Sequence, residues 1–135
     1  MSGGGCLFPL NPTPHEHDPG GRLMAMGEQA SALWHAVQVS TFASPLKKEE
    51  QLREAVRIRL DERAGWLAVR TSEFPAGDLA GAAQASLAIA AYYSELGQPE
   101  LSSEWMQTAL AEAPPNTIVR ACVKYNLRRI SGDTR

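Results

Sequence analysis

The four consecutive residues His15-Glu16-His17-Asp18 hold the densest set of reactive side chains in the chain. All four types ligate metals, and alternate residues of an extended segment share one side. The cluster lies among Pro12, Pro14 and Pro19, and ordering such a segment around an ion costs conformational entropy. It is therefore read as part of a solvated tail, with no metal site and no cofactor assigned. A metal-dependent activity through His15 and His17 is kept as the enzyme-class alternative. His35, beside an apolar stripe, reads as a boundary residue rather than a base.

No other catalytic constellation stands out. The chain lacks a Gly-x-Ser-x-Gly elbow, a phosphate loop, a dinucleotide fingerprint and a paired-histidine helix motif. Cys6 and Cys122 lie too far apart in sequence and context to suggest a disulfide framework. No catalytic residue is assigned. The main electrostatic feature is a basic face near the C-terminus, Arg120, Lys124 and Arg128, with Arg129 and Arg135 close by and only Asp133 against them. Cations at a helix C-terminus interact well with its dipole and stay solvated. The functional alternative is a dock for an acidic protein segment, phosphate or nucleic acid.

Composition narrows the class. The chain has 135 residues, 44% apolar and 21% charged, with a formal net charge of -2. That fits one helical domain with a respectable core and gives no global attraction to nucleic acid. The opening Met-Ser-Gly-Gly-Gly carries neither a basic start nor an apolar core, so no signal peptide is expected. No apolar run approaches the roughly 20 residues that span a bilayer. A reduced, cytoplasmic protein with no membrane association is the expectation.

The elements that must position these residues are helices. Residues 1–20 are rich in Gly and Pro and read as a loose tail, with Leu7, Phe8 and Leu10 as a small apolar knot. A helical domain follows over 21–131, and 132–135 should fray. A first helix is predicted over about 22–41, with Leu23, Met26, Ala30, Leu33 and Val37 on one face. Ser44 and Pro45 start a second, over about 45–64 or on to 69, with Leu52, Val56 and Leu60 inward and a charged, solvated opposite face. Gly65 is expected to end or kink it. After the Phe74–Asp78 loop, a third helix over about 79–96 is rich in Ala and uncharged until Glu95, so burial on nearly all sides is expected. A fourth runs over about 99–113. A fifth, over about 117–130, is capped by Asn116, with Ile118, Ala121, Cys122, Tyr125 and Ile130 inward. Trp34, Trp66 and Trp105 read as core.

Between Ala83 and Asn116 these positions resemble a tetratricopeptide repeat. Such a repeat is a pair of antiparallel helices in about 34 residues. Ala90 stands at the small position of the first helix, Tyr93 at the aromatic one and Gly97 at the turn. Met106 takes the large position of the second helix, Ala109 the small one, and Pro114 closes the unit. Ser86 and Ser102 depart, standing where a large aromatic and an alanine are usual. The resemblance covers about a quarter of the chain. Counting back one repeat gives no second match, with Arg63 where the turn glycine should be.

The resemblance implies an all-α fold: a right-handed array of about five helices paired as antiparallel hairpins, with a concave groove that binds partners. The groove-facing residues are then Gln84, Leu87, Ala91, Ser94 and Glu95. Helix three has no Lys or Asn of the kind that clamps a terminal carboxylate. The function expected is a non-enzymatic protein-interaction module, an adaptor, scaffold or chaperone-like regulatory subunit. Its partner would be another protein, a peptide, or a second copy in a homodimer. The alternative is a nucleic-acid-associated regulatory protein using the basic face.

Overall fold

A computed structural model describes residues 19–115 and 117–131. Pro19 and Gly20, expected in the tail over 1–20, already belong to the first helix, whereas residues 1–18, with the His15–Asp18 cluster and Leu7, Phe8 and Leu10, lie outside the described residues. So do the Asn116 cap, the inward placement of Ile130 and the fraying of 132–135. What is described is all-helical: α1 (Pro19–Val39), α2 (Pro45–Ala68), α3 (Leu79–Glu95), α4 (Pro99–Glu112) and α5 (Ile118–Ser131).

Local chemistry sets most of these boundaries. The Ser44 hydroxyl accepts from Lys47 N at 3.1 Å, and Pro45 takes the first turn of α2, where its missing N–H costs nothing. Asp78 caps α3 by accepting from Gly81 N at 3.0 Å. The C-terminus of α3 closes on Gly97 at φ 77°, with Gly97 N donating to Ser94 O at 3.1 Å and Gln98 N to Tyr93 O at 3.0 Å. This paired closure needs a left-handed residue, which glycine supplies without strain. At the start of α5 the Thr117 hydroxyl accepts from Arg120 N at 3.1 Å.

Each helix packs on its sequence neighbours, and α3 also meets α5. The pairings run antiparallel: Leu23 packs on Gly65 while Ser31 meets Arg59, and Ser86 meets Glu112 while Ser102 meets Ala90. One buried cluster joins α1, α2 and α3 through Ala30, Ala55, Val56, Ile58, Ile89 and Tyr92. A second joins α3, α4 and α5 through Ala90, Met106, Ala109 and Val123. α3 supplies buried residues to both clusters, and Trp105 of α4 packs against both. The α3/α4 crossing is close because its residues are small: Ala90, Ser102 and Ala109 are fully enclosed, and Ser102 Oγ donates to Ala90 O at 2.7 Å.

Two expectations are corrected, and the choice left open at Gly65 is decided. Gly65 does not end α2. The helix continues to Ala68, and Leu23 occupies the space where a side chain at 65 would sit. Leu60 is not inward but exposed, because the adjacent face carrying Arg59, Glu62 and Arg63 packs instead. The facing of α5 is wrong by roughly half a turn. Ile118 and Tyr125 are 82% and 57% exposed, Ala121 and Cys122 are exposed too, and Val123 is the residue sealed in the core. The cause lies at the end of α4, whose last carbonyls need donors. Arg120 supplies them, to Ala113 O at 2.9 Å and Leu110 O at 3.3 Å, which turns its own side of α5 inward.

Candidate docking groove

Although α3 is apolar along most of its length, it is not buried on all sides. Ala82, Ala83, Ala85, Ser86, Ile89, Ala90 and Tyr92 are enclosed, whereas Gln84, Ala91, Ser94 and Glu95 are exposed and Leu87 and Ala88 half-buried. The open face lines a groove of about 820 Å³. All five residues expected from the resemblance, Gln84, Leu87, Ala91, Ser94 and Glu95, lie along it. Trp34 and Arg59 line it from the first two helices, Pro99, Ser102 and Met106 from α4, and Asn126 and Arg129 from α5. The lining mixes a small apolar strip with a few polar and charged side chains.

Two buried polar clusters hold the walls in place, and neither was anticipated. In the first, Arg59 bridges three helices. It donates to Glu62 Oε1 at 2.9 Å, to Ser31 Oγ at 3.0 Å and to the Tyr92 hydroxyl at 3.2 Å. Glu62 also accepts from Trp66 Nε1 at 2.9 Å. Burial pulls the Arg59 pKa down, but Tyr92 and Glu62 together outweigh it and leave the guanidinium above its ordinary value. Gly27 makes room for this cluster, since a Cβ there would lie 2.8 Å from Arg59 Nη1. Tyr92 in turn packs against Trp34, ring centroids 6.0 Å apart, which fixes one end of the groove.

In the second cluster, Arg63 of α2 donates from Nε to Ser86 Oγ at 3.0 Å and pairs with Glu112 of α4. Ser86 Oγ donates to Glu112 Oε1 at 2.8 Å, and the Arg63 guanidinium stacks 5.2 Å from the Trp105 ring. A serine beside a carboxylate has parts of an activated nucleophile. Here Ser86 is completely enclosed, so its hydroxyl joins helices and reaches no substrate.

The basic face is not a uniform cationic strip. Arg120 is half-buried on the end of α4, while Lys124 and Arg128 are exposed. Arg129 lies 5.9 Å over the Tyr125 ring and also borders the groove. Among the described residues, no three of His, Cys, Asp and Glu converge to hold a metal, and no helix is long and apolar enough to cross a membrane. His35 is exposed on α1.

The charge pattern that hid the two clusters explains why they were missed. On α2, Glu49–Arg53 and Arg57–Asp61 do form exposed i,i+4 pairs, at 3.0 and 3.3 Å. Arg59, Glu62 and Arg63 look the same in the sequence but lie on the packed side. The available signal was Ser86, a small polar residue in an otherwise apolar run, which requires a hydrogen-bonding partner when buried.

Comparison with protein-family models, curated proteins and solved structures finds no match to this chain.

Proposed function

We propose that this chain is a non-enzymatic protein-interaction module, built on a tetratricopeptide-like hairpin over 83–116, that docks a segment of another protein in the groove along α3. The observation that carries the reading is the coincidence of Gln84, Leu87, Ala91, Ser94 and Glu95 in one open groove of about 820 Å³. Its strip of Leu87, Ala88, Ala91 and Met106 suits small apolar side chains. Its polar margin suits the backbone of an extended peptide or the flank of a helix. The buried clusters support a recognition role over a catalytic one. They spend the partly buried charges on holding helices together and leave the groove shaped rather than reactive.

The nucleic-acid alternative draws less support. Phosphate binding depends on cations free to neutralise it, and Arg120 already serves the carbonyls of α4.

The test is affinity capture on the full chain and on an Ala91→Trp variant, with light scattering on both. Ala91 is exposed, so the indole fills the groove without entering the core. A discrete protein retained by the parent and lost at least tenfold by the folded variant supports the reading. Retention by both, or a monodisperse monomer that retains nothing, removes it.

A further inference from the structure

The stripe that the sequence marks as buried in α5 is the one the structure leaves uncovered. Ile118, Ala121, Cys122 and Tyr125 follow the i, i+3, i+4, i+7 spacing of a single helix face, and all four are exposed, Ile118 by 82%. An apolar stripe left open along one helix face and bordered by charge is the form an interaction surface takes. The stripe residues themselves lie outside the proposed groove, and the two surfaces meet at Arg129, which borders the groove and stacks on Tyr125.

The charges around it identify what covers it. Every charged side chain of α5 is cationic: Arg120, Lys124, Arg128 and Arg129. By helical spacing Lys124 and Arg128 lie along one edge of the stripe, and Arg129 stacks over Tyr125 within it. A second copy of α5 laid on this face would oppose cation to cation, which is unfavourable. A helix with an apolar stripe and acidic flanks meets both the apolar and the charged parts of the surface. We infer that the Ile118–Tyr125 face of α5 is a docking surface for an acidic amphipathic helix of a partner protein, a second surface that adjoins the groove at Arg129.

The experiment uses the full chain with Cys6→Ser, so that Cys122 is the remaining thiol, and three synthetic helical peptides. One has a leucine stripe at the same spacing with Glu on both flanks. The second has Lys flanks, and the third has Glu flanks and a broken stripe. The expected result is saturable binding of the first alone, measured by fluorescence anisotropy, weakening at least tenfold between about 50 and 200 mM salt. It should slow alkylation of Cys122 at least fivefold. Tyr125→Ser with Ile118→Ser should abolish binding while the helical circular dichroism is unchanged, and Ala91→Trp should leave it intact. No binding of the Glu-flanked peptide, equal binding of the Lys-flanked one, or failure to protect Cys122 overturns the inference. A concentration-dependent dimer dissolved by Tyr125→Ser overturns it in favour of self-association. Survival under Ala91→Trp separates this surface from the groove.

Discussion

Ser86 shows what a single residue can settle. The tetratricopeptide pattern has a large aromatic there, and the structure gives Ser86 no free volume and two polar partners. Ser86→Ala leaves Arg63 and Glu112 each short of a buried bond and should cost about 1–3 kcal/mol in urea unfolding. Ser86→Tyr should add about 1–3 kcal/mol more through overpacking. A neutral tyrosine variant would mean that the Arg63–Ser86–Glu112 cluster does not exist. Glu62 invites a sharper comparison. Its side chain is 6% exposed and its partner Arg59 13%, so Glu62→Ala strands a buried guanidinium and should cost about 3–5 kcal/mol. Glu49→Ala removes a pair whose side chains are about half exposed and should cost at most about 1 kcal/mol. Equal losses would place Glu62 in solvent. At this scale the sequence was least legible, because i,i+3 and i,i+4 charge spacing is identical on a solvated face and on a packed one. Only burial, a tertiary property, tells them apart.

Among the helices, the glycines separate two physical roles. Gly97 is in the left-handed region with nothing near its missing Cβ, so Gly97→Ala should cost about 1–2 kcal/mol through backbone strain alone. Gly81 is helical, where alanine is intrinsically better by about 1 kcal/mol. Yet a Cβ there would sit 2.6 Å from Trp66 Cδ2, so Gly81→Ala should lower the melting temperature rather than raise it. A rise would show that α2 and α3 are less tightly apposed. Helix ends with side-chain caps or proline starts, such as Ser44-Pro45, Asp78 and Pro99, were legible because their chemistry is local. The facing of α5 was not. Periodicity finds an apolar stripe, but it cannot see that the carbonyls ending α4 claim Arg120 and turn the stripe outward. Surface charge on α2 has an acid signature. The hydrogen bond from Arg57 holds the Glu54 carboxyl below its ordinary value. Its small contribution is therefore present above the usual glutamate range and lost as pH falls through the lowered value. Glu54→Gln should flatten the acid limb of the stability curve there, and an unchanged limb would contradict the pairing.

For the molecule as a whole, α3 links two cores, one shared with the first two helices and one with the last two. Its enclosed side is specified by alanines that admit close neighbours, and its remaining side is left to line the groove. The shared open face of Gln84, Leu87, Ala91, Ser94 and Glu95 was expected from the resemblance, whereas the walls were not legible, because Trp34, Arg59 and Arg129 arrive from distant parts of the chain. The measurement that bears most directly on the docking role is site-specific photo-crosslinking in the native host. A photoreactive phenylalanine analogue replaces Ala91 in the groove or, as a control, exposed Gln107 on α4. A discrete protein adduct from position 91 and none from 107 is predicted. No adduct from position 91, or the same adducts from both, would contradict a docking groove along α3.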